Sequence, residues 1–210
     1  MTMNDQFDRL FGECPLIAIL RGVKPEEAEA IGDALVEGGI RIIEVPLNSP
    51  GPLGSIKRLS MRLEGRAMVG AGTVLRVDQI EPIRAAGGRL IVSPSTSTAV
   101  IAATVAADMV SCPGYFTPSE AFAAIDAGAH ALKLFPAEAA SPAVVRAQRA
   151  VLPKDLRLIV VGGIGPDTME PWFAAGADGF GLGSGIYRPG QTAADTLDKA
   201  RAFQAALAAR

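Results

Sequence analysis

Lys133 sits inside an apolar run, Ala131-Leu132-Lys133-Leu134-Phe135-Pro136, whereas the other four lysines (Lys24, Lys57, Lys154, Lys199) fall in polar or helix-like stretches. A buried ammonium is costly, and desolvation lowers its pKa. An amine that is neutral near pH 7 attacks carbonyl carbon. The first chemistry this chain suggests is therefore imine formation on Lys133.

Other residues could join it. Glu44 lies in a second apolar run, Ile40 to Leu47, and has the properties of a general acid or base beside an amine. Arg21, just past Leu16 to Leu20, could fork onto a substrate carboxylate, with the Thr73 hydroxyl as a second donor. Thr73, in Gly70-Ala71-Gly72-Thr73, reads equally as a strand end with an N-cap. Two glycine-rich stretches, Val161-Gly162-Gly163 and Gly181-Leu182-Gly183-Ser184-Gly185, would bring backbone N–H groups to a phosphate, with Gly162, Gly163, Gly183 and Ser184 at its centre. Lys133 and Glu44 also read as a structural ion pair with no catalytic role, and that alternative stays open here.

Eight short apolar runs must place these groups. They are Leu16 to Leu20, Ile40 to Leu47, Ala67 to Gly72, Arg89 to Pro94, Asp108 to Pro113, Ala131 to Pro136, Arg157 to Gly163 and Gly179 to Gly185. Alanine-rich amphipathic segments separate them, several opened by proline with acidic neighbours, as in Pro25-Glu26-Glu27 and Pro118-Ser119-Glu120. Glycines at Gly38-Gly39, Gly87-Gly88, Gly128 and Gly176 stand just before strands, where a left-handed residue closes a helix. The repeated helix–Gly–strand phrase predicts an α/β fold: a (β/α)8 TIM barrel over residues 1–210, one domain, with an extra N-terminal helix from Asp5 to Phe11 under the barrel. A doubly wound open sheet is the alternative.

In such a barrel chemistry belongs to the C-terminal strand ends. Alternation then puts Ile17, Ile19 and Arg21 on one face, as it does Ile42, Glu44 and Pro46, and Ala131, Lys133 and Phe135. The interior thus holds an amine, an acid and a guanidinium near one rim.

Composition narrows the function. The chain is 49% hydrophobic and 5% aromatic, with a net charge of -2, and no basic patch points to nucleic acid. No apolar stretch suits a membrane span, and the first residues lack a signal-peptide pattern, so a cytoplasmic protein is expected. Cys14 and Cys112 lack metal-ligand spacing and read as small buried hydrophobes. The single histidine, His130, precedes its strand and reads as a surface loop residue at the wrong end of the barrel for chemistry. No metal site and no cofactor are expected.

With these residues in place, the chain resembles the 2-keto-3-deoxy-6-phosphogluconate/galactonate (KDPG/KHG) aldolase family from about Pro15 to Arg188. The resemblance is carried in order by Ile19-Leu20-Arg21-Gly22, Glu44-Val45-Pro46-Leu47-Asn48-Ser49-Pro50 and Gly70-Ala71-Gly72-Thr73-Val74-Leu75. It continues through Cys112-Pro113-Gly114, Leu132-Lys133-Leu134-Phe135-Pro136, Val161-Gly162-Gly163 and Gly181-Leu182-Gly183-Ser184. It implies a metal-free class I aldolase, usually trimeric, acting on a phosphorylated 2-keto-3-deoxy sugar acid and releasing pyruvate and glyceraldehyde 3-phosphate. By the same resemblance Lys133 forms the Schiff base, Glu44 shuttles protons, Arg21 and Thr73 hold the carboxylate, and Gly162, Gly163, Gly183 and Ser184 cradle the phosphate. Gluconate-type members commonly read Glu-Val-Thr-Leu-Arg after the second strand. Pro46 and Asn48 depart from that pattern and are similar to the galactonate branch. A phosphosugar epimerase or isomerase, and a phosphate-binding barrel without turnover, are the competing readings.

Overall fold

Runs of Ile, Val and Leu bounded by Gly and Pro form short strands that bury both faces, as parallel strands covered by helices do. The computed structural model describes residues 2–209. Its strands are β1 (Leu16–Ile19), β2 (Ile42–Pro46), β3 (Met68–Gly72), β4 (Leu90–Val92), β5 (Val110–Cys112), β6 (Gly114–Tyr115), β7 (Ala131–Leu134), β8 (Arg157–Val161) and β9 (Gly179–Leu182). All pair in parallel, in the order β5-β4-β3-β2-β1-β9-β8-β7-β6.

The one departure from the expected eight strands is the fifth, which is split in two. Pro113 has no N–H to give a ladder, so pairing breaks there. β5 pairs with β4, in register Val92 with Cys112, while β6 pairs with β7, in register Gly114 with Lys133. Gly114 passes so close to the Pro94 carbonyl that a Cβ there would overlap it. The seam is bridged by Lys133 N–H donating to Pro113 O at 2.9 Å and His130 N–H to Ser111 O at 2.9 Å. The barrel closes through its own broken strand.

Nine α-helices are found among the described residues: a lead helix, α1 (Met3–Glu13), and eight more. They are α2 (Pro25–Glu37), α3 (Pro52–Arg62), α4 (Ile80–Ala85), α5 (Thr98–Ala106), α6 (Pro118–Asp126), α7 (Pro142–Arg149), α8 (Glu170–Ala174) and α9 (Ala193–Ala208). Local chemistry sets their ends. Pro118 begins α6 behind a capping box in which Thr117 N–H donates to Glu120 Oε2 at 2.7 Å. Gly39, Gly87, Gly128 and Gly176 follow their helices at φ of 92°, 92°, 95° and 105°, the left-handed region that glycine enters without steric cost.

The core has two layers, as strand alternation requires. Leu16, Ala18, Ile43, Val45, Leu132, Leu134 and Val160 face the helices. Ile17, Ile19, Ile42, Met68, Leu90, Val110, Ala131 and Ile159 fill the barrel. Phe7, Leu10 and Phe11 of α1 plug its lower end, and each such buried side chain is worth about 1.5–3 kcal/mol. His130 belongs to this plug rather than to a free surface loop. Its ring stands edge-on to Phe7, with centroids 5.4 Å apart, and Nε2 lies 3.5 Å from Asp8 Oδ2. Burial under α1 lowers its pKa. α1 thus lies under the barrel, as expected for the lead helix, and brings Phe7 to His130.

Candidate active site

β7 carries Lys133 into the barrel, where it is 7% exposed, with Nζ 4.7 Å from the Phe135 ring centroid. β2 carries Glu44 into the same interior, 2% exposed, in register between Ile19 of β1 and Gly70 of β3. The Glu44 carboxylate lies over Gly72, and a Cβ at that position would overlap it. This close approach explains the glycine at the end of β3.

Ile17, Ile19, Val92, Cys112, Ile159 and Val161 line a small chamber of about 10 Å³ between the two ionisable groups. In so apolar a setting either charge is poorly solvated. Burial pushes Glu44 up to about 7, with Lys133 and then Arg21 pulling the other way. Burial likewise holds Lys133 below the usual lysine range, opposed mainly by Glu44. Glu44 can therefore exchange a proton near neutrality, while the charged form of Lys133 is disfavoured. Glu44 Oε2 has no hydrogen-bond partner among the described residues, which is unlike a closed structural ion pair. The Cys112 thiol is pushed up to about 12 by burial, so it packs as a neutral hydrophobe. Cys14 is buried too, in keeping with the sequence reading.

Above the chamber a cleft of about 400 Å³ opens at the C-terminal strand ends. Lys133 and Arg21 line its inner part, and Gly162, Gly163, Gly183 and Ser184 its far side. Arg21 Nη1 donates to Asn48 Oδ1 at 2.8 Å, and Gly22 N–H donates to Ser49 Oγ at 2.9 Å. The Leu47-Asn48-Ser49 turn after β2 thus anchors the turn after β1. Asn48, read from sequence only as a departure from the gluconate-type pattern, is the side chain that holds Arg21.

Thr73 is at the end of β3 on the same rim, but it is not among the residues lining the cleft or the chamber. Nor does it cap a helix: the next turn, Val77–Gln79, is preceded by Arg76. Thr73 instead holds φ at 58°, a left-handed conformation that is unfavourable for a β-branched residue and is found preferentially at functional sites.

Two cleft residues escaped the sequence reading. Glu138 follows β7 in the turn Ala137–Ala139, and Arg188 follows the loop after β9. Each stands within five residues of a motif that was read, yet an exposed charge beside a motif carries no signal of its own. No group of three or more His, Cys, Asp or Glu among the described residues is placed to hold a metal ion.

An amine on an inner strand, a buried acid beside it and glycine loops across a cleft define a barrel enzyme of carbonyl chemistry. Comparison with known proteins identifies the group: the chain matches the family described as KDPG and KHG aldolase over residues 7–202, and it belongs to that family. It is 48% identical over 194 residues to a probable 2-dehydro-3-deoxy-6-phosphogalactonate aldolase of Rhizobium meliloti (strain 1021), covering 92% of each chain. It is 44% identical to the 2-dehydro-3-deoxy-6-phosphogalactonate aldolase of Escherichia coli (strain K12), covering 90% of this chain and 92% of that one. A solved structure described as native KDPGal superposes with a TM-score of 0.92 at 43% identity, covering 94% of this chain and 96% of the other. The chain is an aldolase, hence a lyase, on a barrel of the family's kind.

Proposed function

We propose that this aldolase works through a Schiff base on Lys133 and cleaves 2-dehydro-3-deoxy-6-phospho-D-galactonate to pyruvate and D-glyceraldehyde 3-phosphate, in the breakdown of galactonate. The observation that carries the mechanism is Lys133 itself: an amine on an inner strand, almost wholly buried, with its charge disfavoured, facing an open cleft. The relatives named above, both called phosphogalactonate aldolases, support the choice of epimer.

The chemistry follows from the groups in place. Neutral Lys133 Nζ attacks the C2 carbonyl of the substrate, and the carbinolamine hydroxyl leaves as water with a proton that Glu44 relays from solvent, giving a protonated imine. The Glu44 carboxylate takes the proton of the C4 hydroxyl as the C3–C4 bond breaks. The bond pair flows into the imine, leaving an enamine on Lys133, and the C4 carbon departs as the aldehyde. The enamine regains a proton at C3, and water releases pyruvate and the free amine. Arg21, held by Asn48, is placed for the substrate carboxylate. Thr73 is assigned as a second donor there, and Gly162, Gly163, Gly183 and Ser184 as the phosphate cradle at the far side.

We assign the enzyme to the cytoplasm as a homotrimer. The unpaired buried cysteines suit a reducing compartment, and among the described residues no helix is long and apolar enough to cross a membrane. Leu75, Val77, Val105 and Phe122 leave apolar surface exposed on neighbouring βα units, as a partner-covered face would.

The decisive test is incubation with pyruvate and sodium borohydride, followed by intact-mass measurement and peptide mapping. A reduced pyruvate adduct on Lys133 is expected, and a folded protein that forms none sinks the imine mechanism. Initial rates with the phosphogalactonate and phosphogluconate epimers then test the substrate, and a preference for the gluconate epimer overturns that assignment.

A further inference from the structure

The far side of the cleft carries two charges of opposite sign that the proposed mechanism does not use. Glu138 leans from its turn onto the loop after β8, where its Oε2 occupies the space a Cβ on Gly162 would need. Its Cγ lies 3.2 Å from where a Cβ on Gly163 would stand. Gly162 and Gly163 hold φ of 128° and 62°, conformations that present backbone rather than side chain to the cleft. A carboxylate therefore rests on the backbone assigned to the phosphate, and no ion pair to it is formed among the described residues. Arg188 lines the same cleft beside the loop after β9, with Nε donating to Ser184 O at 3.2 Å.

We propose that Glu138 and Arg188 form a charge-exchange gate for phosphate: Glu138 is a resident carboxylate that the substrate's phosphate displaces, and Arg188 is the cation that receives it. The proposal rests on reading this side of the cleft as the phosphate end. A phosphate ester brings close to two negative charges and three strong acceptors, and it cannot share the glycine backbone with a carboxylate. Glu138 is exposed, as is Arg188, so the first can swing to solvent while the second turns inward. An unphosphorylated sugar acid carries nothing that displaces Glu138 or engages Arg188. Selectivity then comes from a repulsive element as well as an attractive one.

The test is titration of inorganic phosphate into the whole protein at low ionic strength, followed by calorimetry, for wild type, Glu138→Gln and Arg188→Gln. Glu138→Gln keeps the shape and removes the charge, so phosphate should bind about three- to tenfold more tightly. Arg188→Gln should weaken binding by a similar factor, and high salt should shrink both differences. Weaker or unchanged binding in Glu138→Gln, or unchanged binding in Arg188→Gln, overturns the gate. Phosphate binding requires no turnover, so this result is separable from the imine test. A pyruvate adduct on Lys133 with flat phosphate affinities rejects the gate alone, and a missing adduct rejects the mechanism.

Discussion

Replacing Glu44 by Gln removes one ionisable group from the barrel while keeping its shape, and the consequence for stability has a definite sign. The folded-state pKa of Glu44 is raised from 4.5 to about 7, chiefly by burial. A carboxyl raised in this way binds its proton more tightly in the folded chain than in the unfolded one. Its stabilising contribution is complete below about pH 4.5 and is lost as pH rises through about 7. The difference of 2.5 units between 4.5 and about 7 corresponds to about 3 kcal/mol, of which roughly 2.5 falls between about pH 5 and pH 8. Glu44→Gln carries no such dependence. Urea unfolding of both proteins at several pH values and one protomer concentration isolates the effect of Glu44 together with its coupling to Lys133, because titrations outside this pair cancel in the difference. Wild type should lose about 2.5 kcal/mol relative to the variant across that window. A difference that stays flat with pH, or runs the opposite way, refutes the claim that Glu44 is a desolvated acid.

The same perturbed groups should shape turnover. Cleavage needs Glu44 ionised, so kcat/KM should rise with pH through about 7 in initial-rate profiles. Glu44→Gln should slow cleavage by about 10²–10⁴-fold, with pyruvate adduct formation at Lys133 still detectable by mass. Lys133→Ala should abolish both cleavage and the adduct, and wild-type-like turnover in that variant would falsify the imine route. Asn48→Ala frees Arg21 from its 2.8 Å anchor and should raise the KM for pyruvate in the reverse reaction by about three- to tenfold, with kcat nearly kept. Gly72→Ala puts a methyl group against the Glu44 carboxylate, so it should cost about 1–3 kcal/mol in urea unfolding and depress activity.

Much of the barrel was legible because its signals are local. Gly39 and Gly128 end helices wherever they are read, and the Thr117-Pro118 start of α6 needs only its own Glu120. Alternation correctly sent Ile17, Ile42 and Ala131 inward with Glu44 and Lys133 because a strand has only two faces. The fifth strand was harder: Pro113 marked a strand end, but the two-residue β6 beyond it exists only because β7 lies alongside to pair with it. His130 was misplaced for a related reason, since its neighbour Phe7 is far away in sequence and close only after α1 folds under the barrel.

At the site, residue types alone determined that an amine and an acid would share the barrel interior, because a charge in an apolar strand has nowhere else to point. The glycine loops were legible on the same basis, since their backbone must stand bare. Tertiary structure decided the rest. It set Asn48 as the partner of Arg21, laid Glu44 over Gly72, twisted Thr73 to a positive φ, and brought Glu138 and Arg188 into one cleft. Those relations join residues from different βα units. Each unit's sequence specifies its own strand and helix, whereas the meeting of side chains across the barrel mouth depends on closure, register and loop path together, which no single segment encodes.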